Sequence, residues 1–141
     1  MINVGVIGLG FMGVTHIKSY LQLPNARIAA ICDAVRLPLD GNLSSISGNL
    51  ATTEPIQLDM RVVKAYRNYE ELLANPEIDL VDICVPTPAH PAVAIAALQA
   101  GKHVLCEKPL ARTSQLARQV VAAAARARGF FMPAMCLRFW P

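Results

Sequence analysis

The amino-acid sequence predicts an α/β domain built on a parallel sheet with helices on both faces. Three observations carry this. Strand-like and helix-like segments alternate from end to end, as they do when a parallel sheet is wrapped by its own crossovers. The first apolar run enters a glycine turn and then a helix, with Gly8, Gly10 and Gly13 spaced as G-x-G-x-x-G. An acid, Asp33, closes the second apolar run 20 residues after Gly13. The expected fold is a Rossmann-type doubly wound sheet.

Residues 2–7 (Ile-Asn-Val-Gly-Val-Ile) suit a buried first strand, and 11–23 read as the first helix. Strand, turn and helix in this order form a dinucleotide fingerprint. Gly8 makes the turn, Gly10 lets the backbone approach a pyrophosphate, and Gly13 brings the helix close to the strand. Phe11 and Met12 open the helix, whose free N–H groups suit phosphates, and are cofactor-side candidates with the glycines. Residues 26–32 form the second strand. Asp33 then stands where a carboxylate takes the ribose hydroxyls and repels a 2′-phosphate, which favours NAD over NADP. Two observations stand against this. Asp33 also suits a cap of the next segment, and Arg36 nearby suits a 2′-phosphate.

Residues 34–60 break the rhythm. Asp40-Gly41-Asn42, Ser44-Ser45, Ser47-Gly48-Asn49 and Thr52-Thr53-Glu54-Pro55 read as a largely surface insertion with room for a brief helix. Residues 62–66 are a third strand, 69–74 a short helix and 79–85 a fourth strand. Residues 89–100 form a helix of small apolar residues ended by Gly101. Residues 102–106 are a fifth strand. Residues 113–128 are a helix ended by Gly129, and 130–135 a sixth strand.

Length and composition fit one domain: 141 residues, 54% hydrophobic and 16% charged. No apolar run nears the roughly 20 residues of a membrane span. The chain enters its first strand without the basic and apolar regions of a signal peptide, so a cytoplasmic protein is expected. Cys32, Cys84, Cys106 and Cys136 each fall near the end of a strand-like run, none in a C-x-x-C pair. Small buried hydrophobes are expected, with no metal site and no disulfide. The net charge of +3 gathers late, with seven basic residues against one acidic after position 101. Arg112, Arg118, Arg126 and Arg128 fit the solvated face of one helix, so no nucleic-acid partner is expected.

Ligands of doubly wound sheets bind outside the carboxyl ends of the strands. The fourth strand ends in Val85-Pro86-Thr87-Pro88-Ala89-His90-Pro91, whose prolines stiffen the loop. That loop suits a wall beside a nicotinamide ring or an ordinary helix entry. His90 reads either as a ligand contact on the substrate side or as a helix cap. The fifth strand ends in Cys106-Glu107-Lys108-Pro109. Lys108 there is placed for proton transfer beside a nicotinamide, or is a surface lysine like most others.

These residues carry a resemblance. The chain resembles the N-terminal half of the glucose–fructose oxidoreductase/inositol dehydrogenase family of NAD(P)-dependent sugar oxidoreductases. The matching segments are the glycine turn, Asp33, Tyr69-Glu70-Glu71-Leu72-Leu73, residues 79–88 and Ala100-Gly101-Lys102-His103-Val104-Leu105-Cys106-Glu107-Lys108-Pro109-Leu110. Arg138-Phe139-Trp140-Pro141 matches the segment after the sixth strand. The resemblance implies that Lys108 lies at substrate and nicotinamide and assists proton transfer, and that Glu107 fixes its loop. It places Val85, Pro86, Thr87 and Pro88 on the nicotinamide side and Arg138 near the substrate mouth. His103 reads as structural, in mid-strand. Family members continue into a second domain that supplies most substrate contacts and the homo-oligomer interface, and this chain stops at Pro141. A cofactor domain for hydride transfer with a sugar or polyol is therefore expected. The alternative is a stand-alone NAD-binding regulatory module without turnover.

Overall fold

Strand β1 (Ile2–Ile7) sits at the centre of the sheet because its last four residues are apolar or glycine and buried on both sides. The computed structural model describes residues 1–46 and 55–140. After β1 come α1 (Phe11–Leu21), β2 (Ala26–Cys32), β3 (Lys64–Tyr66), α2 (Tyr69–Ala74), β4 (Leu80–Ile83), α3 (His90–Gln99), β5 (His103–Cys106), α4 (Ser114–Ala124) and β6 (Phe131–Pro133). The described strands form one sheet in the order β3-β2-β1-β4-β5-β6, and every pairing is parallel. The strand order reverses between β1 and β4, the point at which ligands of this architecture bind.

Crossovers between parallel strands are right-handed, so strand direction across the sheet decides which face each connection covers. On one face α1 buries Val14 and Ile17 against Val4, Val6, Ile28 and Ile31. On the other, α2 contributes Leu72 and Leu73, α3 contributes Val93, Ala94, Ala97 and Leu98, and α4 contributes Val120. Helix α3 can lie close because its residues are small.

Most strands and helices are shorter than the sequence suggests. Helix α4 ends at Ala124 with Ala125 as its cap. Of the four arginines expected on it, only Arg118 lies within it. Gly129 is not its stop signal: a Cβ there would strike the Lys102 carbonyl oxygen, so Gly129 serves a close approach to the chain entering β5. Gly101 does end α3, in a turn where Gly101 N–H donates to Leu98 O (3.0 Å) and Lys102 N–H to Ala97 O (3.1 Å). Residue His103 opens β5 rather than standing inside it.

The 34–60 stretch departs furthest from expectation. Part of it is core: Leu43, Ile56 and Leu58 are buried on the α1 face beside Val63. A bridge between Asn42 and Gln57 pins the segment, with Leu43 N–H donating to Ile56 O and Leu58 N–H to Gly41 O at 3.0 Å each. This crossover must cover the face that α1 covers, and in its described part apolar side chains on irregular backbone do so. The brief helix does not occur in the described part. Ser47-Gly48-Asn49, Thr52-Thr53-Glu54 and Pro141 lie outside the described residues.

The thiols follow the strands. Cys32 and Cys106 are buried and Cys84 half-buried, whereas Cys136 is exposed. Strand β6 ends at Pro133, and Cys136 belongs to the 3₁₀ turn Cys136–Phe139 beyond it.

A candidate cofactor site at the carboxyl ends of β1, β2, β4 and β5

The glycine turn is wedged between the ends of β2 and β4. Gly8 N–H donates to Cys32 O and Cys84 N–H to Ile7 O, both at 2.8 Å. Gly8 has φ +96°, and a Cβ there would lie 2.6 Å from the Cys84 backbone. Strain and clash both exclude another residue. A Cβ on Gly13 would strike the Gly8 carbonyl oxygen, so Gly13 sets how close α1 comes to the turn. Gly10 faces open space, with nothing within 4 Å of its Cβ position. It is the N-cap of α1 in extended conformation, without a side-chain cap and without an acid in the first turn. A helix start left in this way suits an anion approaching the backbone.

Asp33 sits at the end of β2 and serves the turn as well as the cleft. Its Oδ2 accepts from Leu9 N–H at 2.8 Å. Its Oδ1 accepts from Val35 N–H at 2.9 Å and Arg36 N–H at 2.7 Å. The capping role and the binding role are therefore not exclusive. Of its four lone-pair sites, three already hold backbone N–H groups, leaving one on Oδ2 for a ligand hydroxyl.

Gly8, Gly10, Phe11, Met12, Asp33, Val85 and Pro86 line one cleft of about 640 Å³. Sequence reasoning missed two residues beside them, Arg67 and Tyr69, which also line it. Arg67 reaches over from the end of β3 and donates to Ala34 O at 3.4 Å. The missed signal is parallel pairing: Asp33 N–H donates to Tyr66 O at 3.2 Å, so the residues after β3 lie beside those after β2.

The other expected site residues lie past Pro86, towards β5. Thr87 and Pro88 form the 3₁₀ turn Thr87–Ala89. His90 opens α3 and is 2% exposed. Its Nδ1 faces Pro109 O at 2.8 Å and its Nε2 faces Val85 O at 2.7 Å. Both nitrogens face carbonyls of this chain, which favours a structural role over the substrate-side one. His90 clamps the loop after β4 to the loop after β5. Lys108 is exposed at the end of β5 and is joined to Pro109 by a cis peptide bond. Glu107 is buried, and its Oε2 accepts from Lys108 N–H at 2.8 Å. Arg138 lies in the exposed turn after β6 and is not among the residues lining the cleft. His103 is structural: its Nδ1 accepts from Phe130 N–H at 3.0 Å and its ring stacks on Phe130.

Beneath these loops is a charged cluster that sequence reasoning also missed. His16 Nδ1 lies 2.8 Å from Asp82 Oδ2, and its Nε2 lies 3.2 Å from Glu107 Oε1. Asp82 is fully buried. The hydrogen bond to Asp82, and then the charges of Asp82 and Glu107, raise the His16 pKa above its usual value against the opposing effect of burial. The signal in the sequence was a carboxylate, Asp82, inside an apolar strand, where a charge needs a partner. Cys84 completes a trio whose donor atoms lie within 4.8 Å of one another. Burial first, and then Asp82, push the Cys84 thiol up, so it stays protonated and donates to Asp82 Oδ1 at 3.5 Å. The three side chains are thus joined by hydrogen bonds.

Comparison with known proteins agrees with this geometry. The chain is 44% identical over 138 residues to trans-1,2-dihydrobenzene-1,2-diol dehydrogenase of Bos taurus, covering 97% of this chain and 37% of that protein. It is 36% identical over 123 residues to inositol 2-dehydrogenase/D-chiro-inositol 3-dehydrogenase of Shouchella clausii, covering 86% and 32%. The crystal structure of myo-inositol 2-dehydrogenase from Lactobacillus plantarum superposes with a TM-score of 0.76 at 26% identity, covering 99% of this chain and 38% of that one. The chain thus spans about a third of the length of these relatives. Among the described residues no helix is long and apolar enough to cross a membrane. A family model described as "Oxidoreductase family, NAD-binding Rossmann fold" matches residues 2–135, and the chain belongs to that family, GFO/IDH/MocA.

Proposed function

We propose that this chain is the cofactor-binding part of an NAD-dependent dehydrogenase acting on a sugar or polyol. The observation that carries it is the join of two half-sites across β1 and β4. The glycine turn and Asp33 line one cleft, and the Glu107–Lys108 loop stands on the adjacent strand end. The bound nicotinamide supplies the hydride chemistry, and the protein supplies orientation. Gly8, Gly10, Phe11, Met12 and Gly13 hold the pyrophosphate at the start of α1. Asp33 takes one ribose hydroxyl through the free site on Oδ2, which favours NAD over NADP. Val85, Pro86, Thr87 and Pro88 wall the nicotinamide side. Lys108 is the catalytic residue: it takes part in removing the substrate hydroxyl proton as the hydride leaves carbon.

Substrate binding needs more protein than these residues. Leu137, Phe139 and Trp140 are each 70% exposed at the end of the described chain. An apolar run so open suits packing against a second domain, as does the greater length of the relatives. Arg138 stands in that run and is assigned to the substrate mouth. A homo-oligomer formed through the second domain and a cytoplasmic location complete this reading.

Two measurements test it. Calorimetric titration of residues 1–141 should show one NADH site. Steady-state assays of a two-domain protein carrying this chain, against sugars and polyols with NAD, should show NADH formation, and residues 1–141 alone should show little. Absence of NADH binding overturns the cofactor assignment. Full turnover by residues 1–141 alone overturns the two-domain assignment, and binding without turnover in the longer protein favours the regulatory module.

A further inference from the structure

We propose that His16 is a positioning residue: an imidazolium held between Asp82 and Glu107, it ties the helix of the glycine turn to the loop that carries Lys108. A charged ring lets both nitrogens donate. Each faces a carboxylate oxygen, at 2.8 Å and 3.2 Å. A neutral ring has one N–H and would set a lone pair against one carboxylate. The groups facing the ring are Asp82 and Cys84 from β4 and its end and Glu107 from the end of β5; Tyr20 of α1 lies beside Asp82, and Cys106 of β5 beside Asp82 and Glu107. Burial pushes the Tyr20 hydroxyl and the two thiols upward, so none of the three supplies a charge. Among the described residues, His16 is the ion-pair partner of both carboxylates and no lysine or arginine joins them.

The consequence reaches Lys108 through Glu107. One Glu107 oxygen faces His16, and the other accepts the Lys108 N–H at 2.8 Å. Deprotonating the ring removes one donor. The longer contact is the one to Glu107, so that arm releases and the Lys108 backbone loses its fixed partner. The link from charge to rate rests on the role given to Lys108 under the proposed function, whereas the link from charge to loop geometry does not.

Nuclear magnetic resonance on residues 1–141 separates the two. Histidine ring nitrogens and the Lys108 amide are followed from about pH 5 to about pH 10, around the ordinary histidine value of about 6.5. The expected result is one ring that keeps both N–H protons above that value, a signal lost in His16→Gln, and a Lys108 amide that titrates with the same midpoint. In Glu107→Gln, which keeps the shape and loses one charge, the His16 midpoint should fall, and this variant serves if His16→Gln does not fold. A His16 ring with one N–H at neutral pH, or a Lys108 amide indifferent to His16, overturns the proposal. If the amide follows His16 while Lys108→Ala leaves turnover intact in the longer enzyme, the positioning stands and the catalytic assignment of Lys108 falls.

Discussion

At the β1–β2 end of the cleft the working groups are mostly backbone: the Gly8 turn, the uncapped start of α1, and the N–H groups gathered on Asp33. At the β4–β5 end they are side chains held by two histidines, His90 buried and His16 half-buried. His90 joins Val85 to Pro109, and His16 joins Asp82 to Glu107. The first end is set by what is missing, since Gly8 and Gly13 let the backbone close up and Gly10 leaves open space at the start of α1. The second is set by what is present, since ring nitrogens hold two loops in register. The turn tolerates no added Cβ at Gly8 or Gly13, and a side-chain site fails when one nitrogen is lost. The two ends should therefore break in different ways.

The largest effect is expected at the side-chain end. On the proposed function, Lys108→Ala in a longer protein carrying this chain should lower kcat by about 10²–10⁴-fold, the usual worth of positioned proton transfer. NADH affinity should hardly change. Arginine should not rescue the rate, because a guanidinium keeps its proton. Steady-state kinetics with a parallel NADH titration checks both halves, and an unchanged kcat would remove Lys108 from the chemistry.

His90→Ala should come next and act on stability. It removes the ring N–H that serves one of the Val85 and Pro109 carbonyls, at a cost of about 1–3 kcal/mol for the group so stranded. Urea denaturation should show the loss, while the glycine turn, which His90 does not touch, should still bind NADH in the folded fraction. Wild-type stability would show that His90 is not the clamp.

Asp33→Ala sharpens the comparison from the backbone end. Losing one charged hydrogen bond costs about 1.5–3 kcal/mol before solvent compensates. NADH affinity should fall by about tenfold, and NADPH affinity by less. Calorimetry with both cofactors decides it, and NADPH binding as tight as NADH in the unmodified chain would pass the preference to Arg36 and Arg67.

The smallest effect is on pH dependence. The folded-state pKa of His16 is raised. Its contribution to stability is thus full below the unfolded value of about 6.5 and lost as pH rises through the folded value. Denaturation midpoints measured across that window should decline in the wild type and stay flatter in His16→Gln. Parallel profiles in the two would show that the ion-pair cluster adds no pH-dependent stability.

The difference between the two ends also explains what the sequence revealed. Gly8, Gly10, Gly13 and Asp33 act through local backbone, so their spacing along the chain is their geometry. The alternation of strands and helices was legible for the same reason: buried strands and small-residue helices announce themselves within a few residues. His16 and Asp82 stand 66 residues apart in sequence, and only the pairing of β1 with β4 brings them together. His90 looked like a ligand because the loop it leads was legible and its two carbonyl partners were not. The crossover through Leu43, Ile56 and Leu58 hid for a related reason. Its apolar residues follow neither the helical nor the strand period, so their burial shows only when the right-handed crossover lays them on the α1 face.

Calorimetric titration of NADH into residues 1–141 and into Gly10→Val tests the central claim most directly. Gly10 faces open space in the protein, so the added side chain meets only the ligand, and the variant should fold. One NADH site is expected in the first protein and none in the second, with matching circular dichroism. Equal NADH affinity in a folded Gly10→Val protein would contradict this and place the cofactor elsewhere.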